Sequence, residues 1–599
     1  MVYVEAISLG TAILSFSYVG TDSAEDLGYV AELGMNVVKV DIAMDGNRDD
    51  VISFDDPEDK KYLFWVNNDY DVEHYNFDDY QTQQDDKNPS DHQNCNDAFI
   101  GNDGVGSGNC ERDLEDFTRL NIRVDENIAS IPGVTYWIKF GLTPSSPSVN
   151  IFEAVDGTTA YLTDINQSSQ QIQMNRINSQ PVTEVERQID NTYIKANGET
   201  TTFLLEGCSV GEGDLTIIVK VDGEEVCSKS VFLELKDMTF FYKRYTATVT
   251  GERWEAQVSS TAPNSNTNCD YQPENDEMLL FVHGWNVDPV TKKAWIETVF
   301  KRLWWQGYKG GVALFDWPTL TADAGLYPWQ WWDLITDTRN FDNSEYIAWR
   351  SADALNSVFQ NLNANGKLRV LAHSQGNVVV ASALHKYPAN LPVLHTYIAA
   401  QAAISAQYYD NSVAGAEPVD GLLDNTFAFT PHTPDIFGYY SDCVSDPSMD
   451  PYMEGKLGKA ENSFNYHNVE DYALDLWEEN NVLKPDGIAP YYYSYHDHED
   501  PPNVDTYDSL LDSFLRGTVE LSLASETHRH QVFSYCAESR SKALGQVESF
   551  DVSGFSRVDL KTICDVFDHR HYSHSREFRS HYAEMKEFWI KLVEDCDFD

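Results

Sequence analysis

The sequence around one serine has a pattern that is typical of a nucleophile. Ser374 lies between the apolar run Leu368–Ala372 and a helical pattern that begins at Gly376. This order predicts a strand, a sharp turn at the serine and a helix, which together expose a hydroxyl above a sheet. Small residues suit such a turn because its backbone is strained and crowded, and here they are Ala372 and Gly376. A serine that only caps a helix is the alternative interpretation.

Two backbone N–H groups are candidates for stabilising an oxyanion near this serine. The N–H of Gln375 lies at the predicted helix N-terminus, where unpaired amides favour negative charge. Upstream, the predicted strand Met278–Val282 ends in His283-Gly284-Trp285. In folds with this kind of turn the loop after such a strand supplies the second donor, so we predict the N–H of Trp285. A simple turn glycine after a strand is the alternative.

The second half of the chain alternates short apolar runs with helical patterns. This rhythm predicts a mostly parallel, doubly wound sheet. The predicted strands are Met278–Val282, Gly311–Phe315, Leu368–Ala372, Leu394–Ala400 and Ser463–Tyr466. The predicted helices are Val290–Trp305, Asn343–Asn361, Gly376–His385 and Glu577–Glu594.

These elements resemble the α/β-hydrolase superfamily, and most of all its bacterial lipase- and esterase-like members. The resemblance rests on the serine turn, the His-Gly-Trp-Asn loop and the strand end Phe315-Asp-Trp-Pro318, and it covers residues 275–599. It implies a Ser–acid–His triad in that chain order. The first small residue of the turn is Ala372 where the family usually has glycine.

The order implied by the resemblance points to Asp471 as the acid. This residue follows the predicted strand Ser463–Tyr466 in an Asn-rich turn. Its carboxylate would orient the histidine and stabilise the imidazolium. Glu470 is an adjacent rival and Asp410 a more distant one. A helix N-cap is the alternative role for Asp471.

The resemblance implies that the base comes last in the chain, on a loop before the closing helix. His574 is our prediction because Ser575 and Glu577 look like the start of that helix, and His571 is the second choice. A surface or structural histidine is the alternative in each case. The other histidines of this region are His528, His530, His569 and His581.

Aromatic residues are concentrated between the strand ending at Phe315 and the serine turn. Exposed aromatic walls suit acyl chains or aromatic esters, although the same residues would also pack a cap. We predict substrate contacts for His283, Gly284, Trp317 and Trp329. Further aromatic residues in the predicted catalytic half are Trp331, Trp332, Trp349 and the cluster Tyr491–Tyr495.

The first half of the chain is β-rich and differs in pattern. We predict an acidic accessory region over residues 1–130, an all-β immunoglobulin-like sandwich over 131–258, and an α/β-hydrolase domain with long insertions over 259–599. Asp222-Gly223 indicates a hairpin turn within the sandwich. The predicted strands are Val134–Phe140, Ser148–Phe152, Leu215–Val221 and Glu225–Leu235.

The net charge of -54 argues against nucleic acid and anionic lipid as partners. It is compatible with calcium binding, saline surroundings or solubility alone. One acidic loop has the alternating oxygen ligands of an EF-hand or dockerin loop, although Asp50 stands where glycine is usual. An acidic solvated turn is the alternative. The predicted calcium ligands are Asp45, Asn47, Asp49 and Asp56.

Cysteine spacing favours an exported protein. Cys95 and Cys110 flank one polar loop, while Cys208 and Cys227 flank the predicted hairpin, which suits disulfides. Free thiols in a reducing cell are the alternative. The start of the chain lacks a basic region and carries Glu5, so it is not typical of a signal peptide. We predict a secreted or cell-surface protein, with another export route or a trimmed leader left open.

Hydrolysis of a carboxylic ester is the function that these patterns favour. The enzyme would need no cofactor for catalysis, would act on a small-molecule or polymeric ester, and would pass through an acyl-enzyme. An amidase or peptidase with the same triad is one alternative, because fold analogy does not decide the bond type. An inactive calcium-binding surface or adhesion protein is the other.

Overall fold

The computed structural model contains three sheets within the residues that it describes. These residues divide into two compact units, of which the first ends at Lys236 and the second begins at Asp237. No helix in the described residues is long and apolar enough to cross a membrane. The described residues are 39–67, 114–129, 131–141, 147–195, 198–250, 257–260, 269–285, 287, 289–319, 344, 347–348, 350–362, 367–387, 394–404, 409, 460–469, 471, 474, 543–546, 554–568, 574–580 and 582–598.

In its described residues, the first unit contains two mostly antiparallel sheets and three short α-helices. Its strands are β1 (Val40–Met44), β2 (Lys61–Trp65), β3 (Phe117–Val124), β4 (Val134–Phe140), β5 (Ser148–Glu153), β6 (Arg187–Ile189), β7 (Thr200–Ser209), β8 (Gly211–Val221) and β9 (Glu224–Lys236). Its helices are α1 (Glu126–Ala129), α2 (Ala160–Thr163) and α3 (Ile165–Ile172).

The predicted hairpin between β8 and β9 is present. Asp222 and Gly223 have φ values of 51° and 89°, and the two strands pair from Val221 and Glu224 onward. Two consecutive positive φ values are typical of the tight turn that matches the twist of paired strands. β4 alternates buried and partly exposed residues along its length, as a strand with one face on the core does.

The immunoglobulin-like sandwich is not confirmed, although antiparallel sheets are. The sheet orders are β1-β3-β7-β5 and β2-β9-β8-β4-β6, and β2 runs parallel to β9. Strands from before residue 130 pair with strands from after it in both sheets. The accessory region and the predicted sandwich therefore share one unit.

The expected disulfide between Cys208 and Cys227 is not formed. Cys208 lies on β7 of the first sheet, whereas Cys227 lies on β9 of the second sheet, opposite Val219. Both side chains are thiols. The hairpin that the two cysteines flank in sequence does not bring them together, because β7 and β9 belong to different sheets. Cys95 and Cys110 lie outside the described residues.

The second unit contains an eight-stranded sheet flanked by helices. Its strands are β10 (Tyr242–Thr250), β11 (Gln257–Ser260), β12 (Met278–Val282), β13 (Gly311–Asp316), β14 (Leu368–His373), β15 (Leu394–Ala400), β16 (Ala460–His467) and β17 (Ser556–Asp559). Its helices are α4 (Pro289–Trp305), α5 (Ala352–Leu362), α6 (Gly376–Lys386), α7 (Leu560–Ile563), α8 (Arg576–Arg579) and α9 (Tyr582–Cys596).

Seven of these strands are parallel, which confirms the predicted mostly parallel sheet. The sheet order is β11-β10-β13-β12-β14-β15-β16-β17, and only the edge strand β11 is antiparallel to its neighbour. One difference concerns the boundary between the units. The sequence places residues up to 258 in the β-rich half, but β10 pairs in parallel with β13 from Tyr242 onward. Pairing with a distant strand is not visible in a local pattern.

The parallel geometry gathers the ends of the strands at one edge. Every residue of β12, β13 and β14 is buried, as expected for strands covered on both faces. Parallel strands all finish at the same side of a sheet, and ligands of open α/β sheets bind in the crevice outside those carboxyl ends. The carboxyl ends of β12, β13, β14, β15 and β16 therefore lie along one edge of the sheet.

Candidate active site

Ser374 lies on a strained turn between β14 and α6. Its φ of 51° is unusual for a residue with a Cβ atom. Neighbouring backbone holds this conformation, because the N–H of Ser374 donates to Ala400 O at 3.0 Å and its carbonyl accepts from Ala403 at 3.2 Å. Asn377 N–H also donates to the Ser374 carbonyl, at 3.1 Å, at the start of α6. The strand–turn–helix predicted from the sequence is confirmed in detail.

Two glycines allow the serine turn to lie directly against the loop after β12. A methyl group at Gly284 would lie 2.8 Å from the Cβ of Ser374. A methyl group at Gly376 would lie 2.4 Å from Val282 O and 2.5 Å from His283 O. These contacts are too close for any side chain, so both positions require glycine. The loop predicted to supply an oxyanion donor is therefore adjacent to the serine.

His574 and Asp471 form a short hydrogen bond beside this turn. The distance from His574 Nδ1 to Asp471 Oδ2 is 2.7 Å. Asp471 follows β16 in a turn closed by its N–H to Asn468 O, and it is fully buried. The side chain of His574 is 15% exposed. A carboxylate that accepts from one imidazole nitrogen orients the ring and leaves the other nitrogen available.

The histidine lies close to the serine turn through the residue that precedes the serine. The rings of His373 and His574 have centroids 4.8 Å apart. Ser575, the residue after His574, approaches His373 Nε2 with its Oγ at 3.2 Å. Ser374 follows β14 and Asp471 follows β16, so both lie at the carboxyl edge of the sheet, and His574 is hydrogen-bonded to Asp471 there. The three residues occur in the chain order that the resemblance implies.

Gln401, at the end of β15, also belongs to this site and was not predicted. Its Nε2 donates to Asp471 Oδ2 at 2.8 Å, and its Oε1 accepts from the N–H of Ser575 at 2.9 Å. The only sequence signal is its position, one residue beyond a strand that lies next to the nucleophile strand. A glutamine has no characteristic spacing, so a motif search would not select it.

A buried charge cluster supports the loop after β12. Asp316, the last residue of β13, accepts from Lys292 Nζ at 2.8 Å and from Arg244 Nε at 3.0 Å. Lys292 also donates to Trp317 O at 3.1 Å. Burial raises the pKa of Asp316, but His283 and the two cations outweigh it and hold that pKa well below its usual range. The carboxylate is therefore ionised in the fold.

The side chains of His283 and Trp317, which the sequence predicts to contact substrate, are packed inside the fold, and their contact with substrate stays a prediction. Both side chains are fully buried, and their rings stack at 5.5 Å with an interplanar angle of 10°. Trp317 Nε1 donates to His283 O at 2.7 Å. Burial, followed by the charge of Lys292, lowers the pKa of His283 to about 4. His283 and Trp317 thus pack against each other inside the fold, whereas Trp285, two residues after His283, is partly exposed.

A comparison with family models matches residues 261–393 to a family described as "Alpha/beta hydrolase of unknown function (DUF900)". The matched range contains β12, β13, β14 and the serine turn. The parallel sheet of the second unit is consistent with an α/β-hydrolase fold. The matched range ends before Asp471 and His574, so the case for these two residues rests on their geometry. A comparison with curated proteins finds no match.

Several predicted residues of the α/β-hydrolase domain lie outside the described residues. They include both rivals for the acid and the second choice for the base, so these alternatives stay untested. The predicted substrate contact of Trp329 stays untested for the same reason. These residues are Asp410, Glu470, His528, His530, His569, His571, His581, Trp329, Trp331, Trp332, Trp349 and Tyr491–Tyr495.

The acidic loop of the first unit is an ordered turn centred on Asp45. The Asp45 carboxylate accepts from the N–H groups of Asp49 and Asp50, both at 3.1 Å, and from Arg119 at 3.2 Å. Asp50 has a φ of 66°, so it adopts the sharp turn for which glycine is usual. Among the described residues, no group of three or more His, Cys, Asp or Glu is arranged to hold a metal ion.

Calcium binding at this loop stays a prediction. The four predicted ligands belong to one described segment, and the side chain of each accepts from a backbone N–H group within it. A cation at Asp45 would compete with the Arg119 guanidinium, which also pairs with Asp50 at 2.6 Å. The predicted ligands are Asp45, Asn47, Asp49 and Asp56.

Proposed function

We propose that the protein is a serine hydrolase that cleaves carboxylic esters, with Ser374 as nucleophile, His574 as base and Asp471 as orienting acid. The observation that carries this proposal is the 2.7 Å hydrogen bond between His574 and Asp471 beside a serine on a strained turn. The α/β-hydrolase domain supports hydrolysis in general. The choice of an ester rests on the resemblance to lipases and esterases.

The first half of the reaction forms an acyl-enzyme. An ionised Asp471 only accepts hydrogen bonds, so the neutral imidazole of His574 carries its proton on Nδ1 and presents Nε2 as the base. The Ser374 hydroxyl transfers its proton to Nε2 while Oγ bonds to the ester carbonyl carbon. The π electrons of the carbonyl move to its oxygen, and the N–H groups of Gln375 and Trp285 stabilise the resulting negative charge.

The second half releases the acid. As the tetrahedral intermediate collapses, the bond from carbon to the alkoxy oxygen breaks, and the leaving oxygen takes the proton from His574 Nε2. Water then gives a proton to the same nitrogen and attacks the acyl carbon. Collapse of the second intermediate returns the proton to Ser374 Oγ and frees the carboxylic acid.

A fluorophosphonate probe tests the nucleophile directly. The probe phosphonylates an activated serine, and mass spectrometry of peptides locates the label. We expect one label on Ser374 and none in Ser374→Ala. An unlabelled wild-type protein that remains folded would favour the inactive binding protein, and labelling elsewhere would reject this assignment.

Matched substrates separate the ester from the amide reaction. We expect p-nitrophenyl esters of rising acyl length to be hydrolysed, and the p-nitroanilide of the best acyl group to be cleaved far more slowly. Faster cleavage of the anilide would identify an amidase with the same triad. Both substrates release a coloured product, so the comparison needs no change of assay.

The melting temperature with and without EDTA tests calcium at the Asp45 loop. We expect EDTA to lower the melting temperature of the first unit, and excess calcium to restore it. Asp49→Asn should reduce that response. A melting temperature that EDTA leaves unchanged would show that the loop is held by Arg119 and its own backbone alone.

A further inference from the structure

Gln401 joins the acid to the chain segment that carries the base. The residue is fully buried and directly follows the last residue of β15. Its amide makes two hydrogen bonds, one to Asp471 Oδ2 at 2.8 Å and one from the N–H of Ser575 at 2.9 Å. Its φ of 41° is a left-handed conformation that a non-glycine residue adopts only when its surroundings hold it.

The chemistry of the partners determines how this amide is oriented. A carboxylate only accepts hydrogen bonds, so the NH₂ group of Gln401 must face Asp471. A backbone N–H only donates, so the amide oxygen must face Ser575. Glutamate at this position would place a second carboxylate against the first, and a shorter or apolar side chain would lose one or both bonds. The site therefore selects a neutral amide.

The bonds close a ring around the acid–base pair. Asp471 Oδ2 accepts from both Gln401 and His574, and Ser575 is covalently joined to His574. Ser575 also has a positive φ, of 64°, and its Oγ lies 3.2 Å from His373 Nε2. The imidazole is thus restrained at two points, through its Nδ1 and through the backbone of the next residue.

We infer that Gln401 is a positioning residue that holds Asp471 and His574 in the geometry for proton transfer, an inference that rests on the proposed function. Gln401 acts through the carboxylate and the Ser575 backbone. Its loss should therefore reduce turnover and leave substrate affinity unchanged. A misplacement of about 1 Å in a catalytic group is enough to reduce a rate about 100-fold.

Two variants of Gln401 test this role with ester turnover. Gln401→Met keeps the side-chain length and removes both hydrogen bonds, so kcat should fall about 10- to 100-fold with KM nearly unchanged. Gln401→Glu should have a lower kcat than wild type, and the size of this difference, measured at the same pH for both proteins, should change with pH. At low pH the added carboxyl is protonated and donates to Asp471 as the amide did, whereas at higher pH two carboxylates repel each other.

A matched control separates this role from general stability. Gln171 in the first unit is also buried, and its amide also makes two bonds to backbone, from Val155 N–H at 2.9 Å and to Glu153 O at 2.7 Å. Gln171→Met should lower the melting temperature and leave kcat unchanged. Combining Gln401→Met with Asp471→Asn should give a smaller loss than the product of the two single losses, because both act through one carboxylate.

The outcomes distinguish this inference from the proposed function. If the fluorophosphonate does not label wild-type Ser374, the proposed function fails. If wild-type protein is labelled and both Gln401 variants keep wild-type kcat, the positioning role fails. A loss in Gln401→Glu that is the same at every pH, with a lowered melting temperature, would also reject it and indicate a packing role.

Discussion

The Asp471 carboxylate and the His574 imidazole are joined by a hydrogen bond of 2.7 Å, although the residues lie 103 positions apart in the chain. Such a bond forms only if the turn after β16 and the loop before α8 are both placed at the same edge of the sheet. Arg302 on α4 contributes to this placement by donating to Glu577 O at 2.8 Å and to Ser580 O at 2.7 Å. The pair is therefore a product of the whole domain.

Replacing the acid by its amide should remove most of the activity. Asp471→Asn changes the partner of His574 Nδ1, so the imidazole would turn to the wrong tautomer and kcat should fall on the order of 10³- to 10⁴-fold. Glu470→Gln is the matched control and should stay near wild type. If Glu470→Gln is the inactive variant, the acid has been assigned to the wrong carboxylate.

Ester turnover should depend on His574 and not on the other candidate for the base. His574→Ala should reduce ester turnover by about 10⁴-fold or more, because no other group then accepts the Ser374 proton. His571→Ala should retain turnover and is the control from the same loop. Rates of fluorophosphonate labelling should follow the same order, since labelling needs the activated serine. Slow labelling in His571→Ala with normal labelling in His574→Ala would identify His571, and not His574, as the base.

A methyl group at Gly284 should disturb the nucleophile. In Gly284→Ala the new Cβ would lie 2.8 Å from Ser374 Cβ, so the loop or the serine must move. We expect kcat/KM to fall about 100-fold, with a loss of about 1–3 kcal/mol in unfolding free energy. In Gly157→Ala the nearest atom is Thr202 Oγ1 at 3.2 Å, a side chain that can rotate. Equal kcat/KM in wild type and Gly284→Ala would contradict the close packing of this loop.

The stability of the hydrolase domain should fall as the pH drops from 6.5 to about 4, because His283 is buried in its neutral form. Burial, then the charge of Lys292, lowers its pKa from 6.5 to about 4. In this window the unfolded chain binds a proton that the folded domain does not, so stability present above pH 6.5 is lost as the pH falls. The full loss corresponds to about 3 kcal/mol.

Urea unfolding at about pH 7.5 and about pH 4.5 measures this effect. The unfolding free energy of His283→Gln should decrease between these two pH values by about 2–3 kcal/mol less than that of wild type. His395→Gln, which changes a partly exposed histidine of β15, should retain the full wild-type decrease. Identical decreases in wild type and His283→Gln would mean that other groups cause the acid sensitivity.

Breaking the charge pair of Asp316 and Lys292 should lower the unfolding free energy far more than breaking a pair at the surface. Asp316→Asn leaves the buried ammonium of Lys292 without its carboxylate, so unfolding free energy should fall by about 3–5 kcal/mol. Adding Lys292→Met should recover part of that loss. Glu186→Gln breaks the more exposed pair with Lys220 and should change stability by less than about 1 kcal/mol. A loss in Asp316→Asn as small as in Glu186→Gln would argue against a buried network.

Local patterns predicted much of the second unit. Alternating apolar runs predicted six of its elements closely, and Ala372, Gly376 and the intervening serine predicted the turn. These features depend on residues adjacent in the chain, whose sterics and hydrophobic pattern can be read directly. The sequence order of a known superfamily then led to Asp471 and His574.

Other features depend on contacts between distant segments. His283 and Trp317 look like pocket residues from composition, but packing buries both side chains. Cys208 and Cys227 flank one hairpin and still lie in different sheets. The pairing of β10 with β13 likewise crosses the predicted domain boundary.

The sequence by itself determined the nucleophile turn at Ser374, because backbone strain and small neighbours are local properties. Only the tertiary structure decided which side chains surround it. The hydrogen bond between Asp471 and His574, and the bridge that Gln401 makes to both of their segments, need the ends of β15 and β16 and the loop before α8 to meet at one edge. A directional bond of less than 3 Å between distant residues depends on the packing of the whole sheet, which no single stretch of sequence specifies.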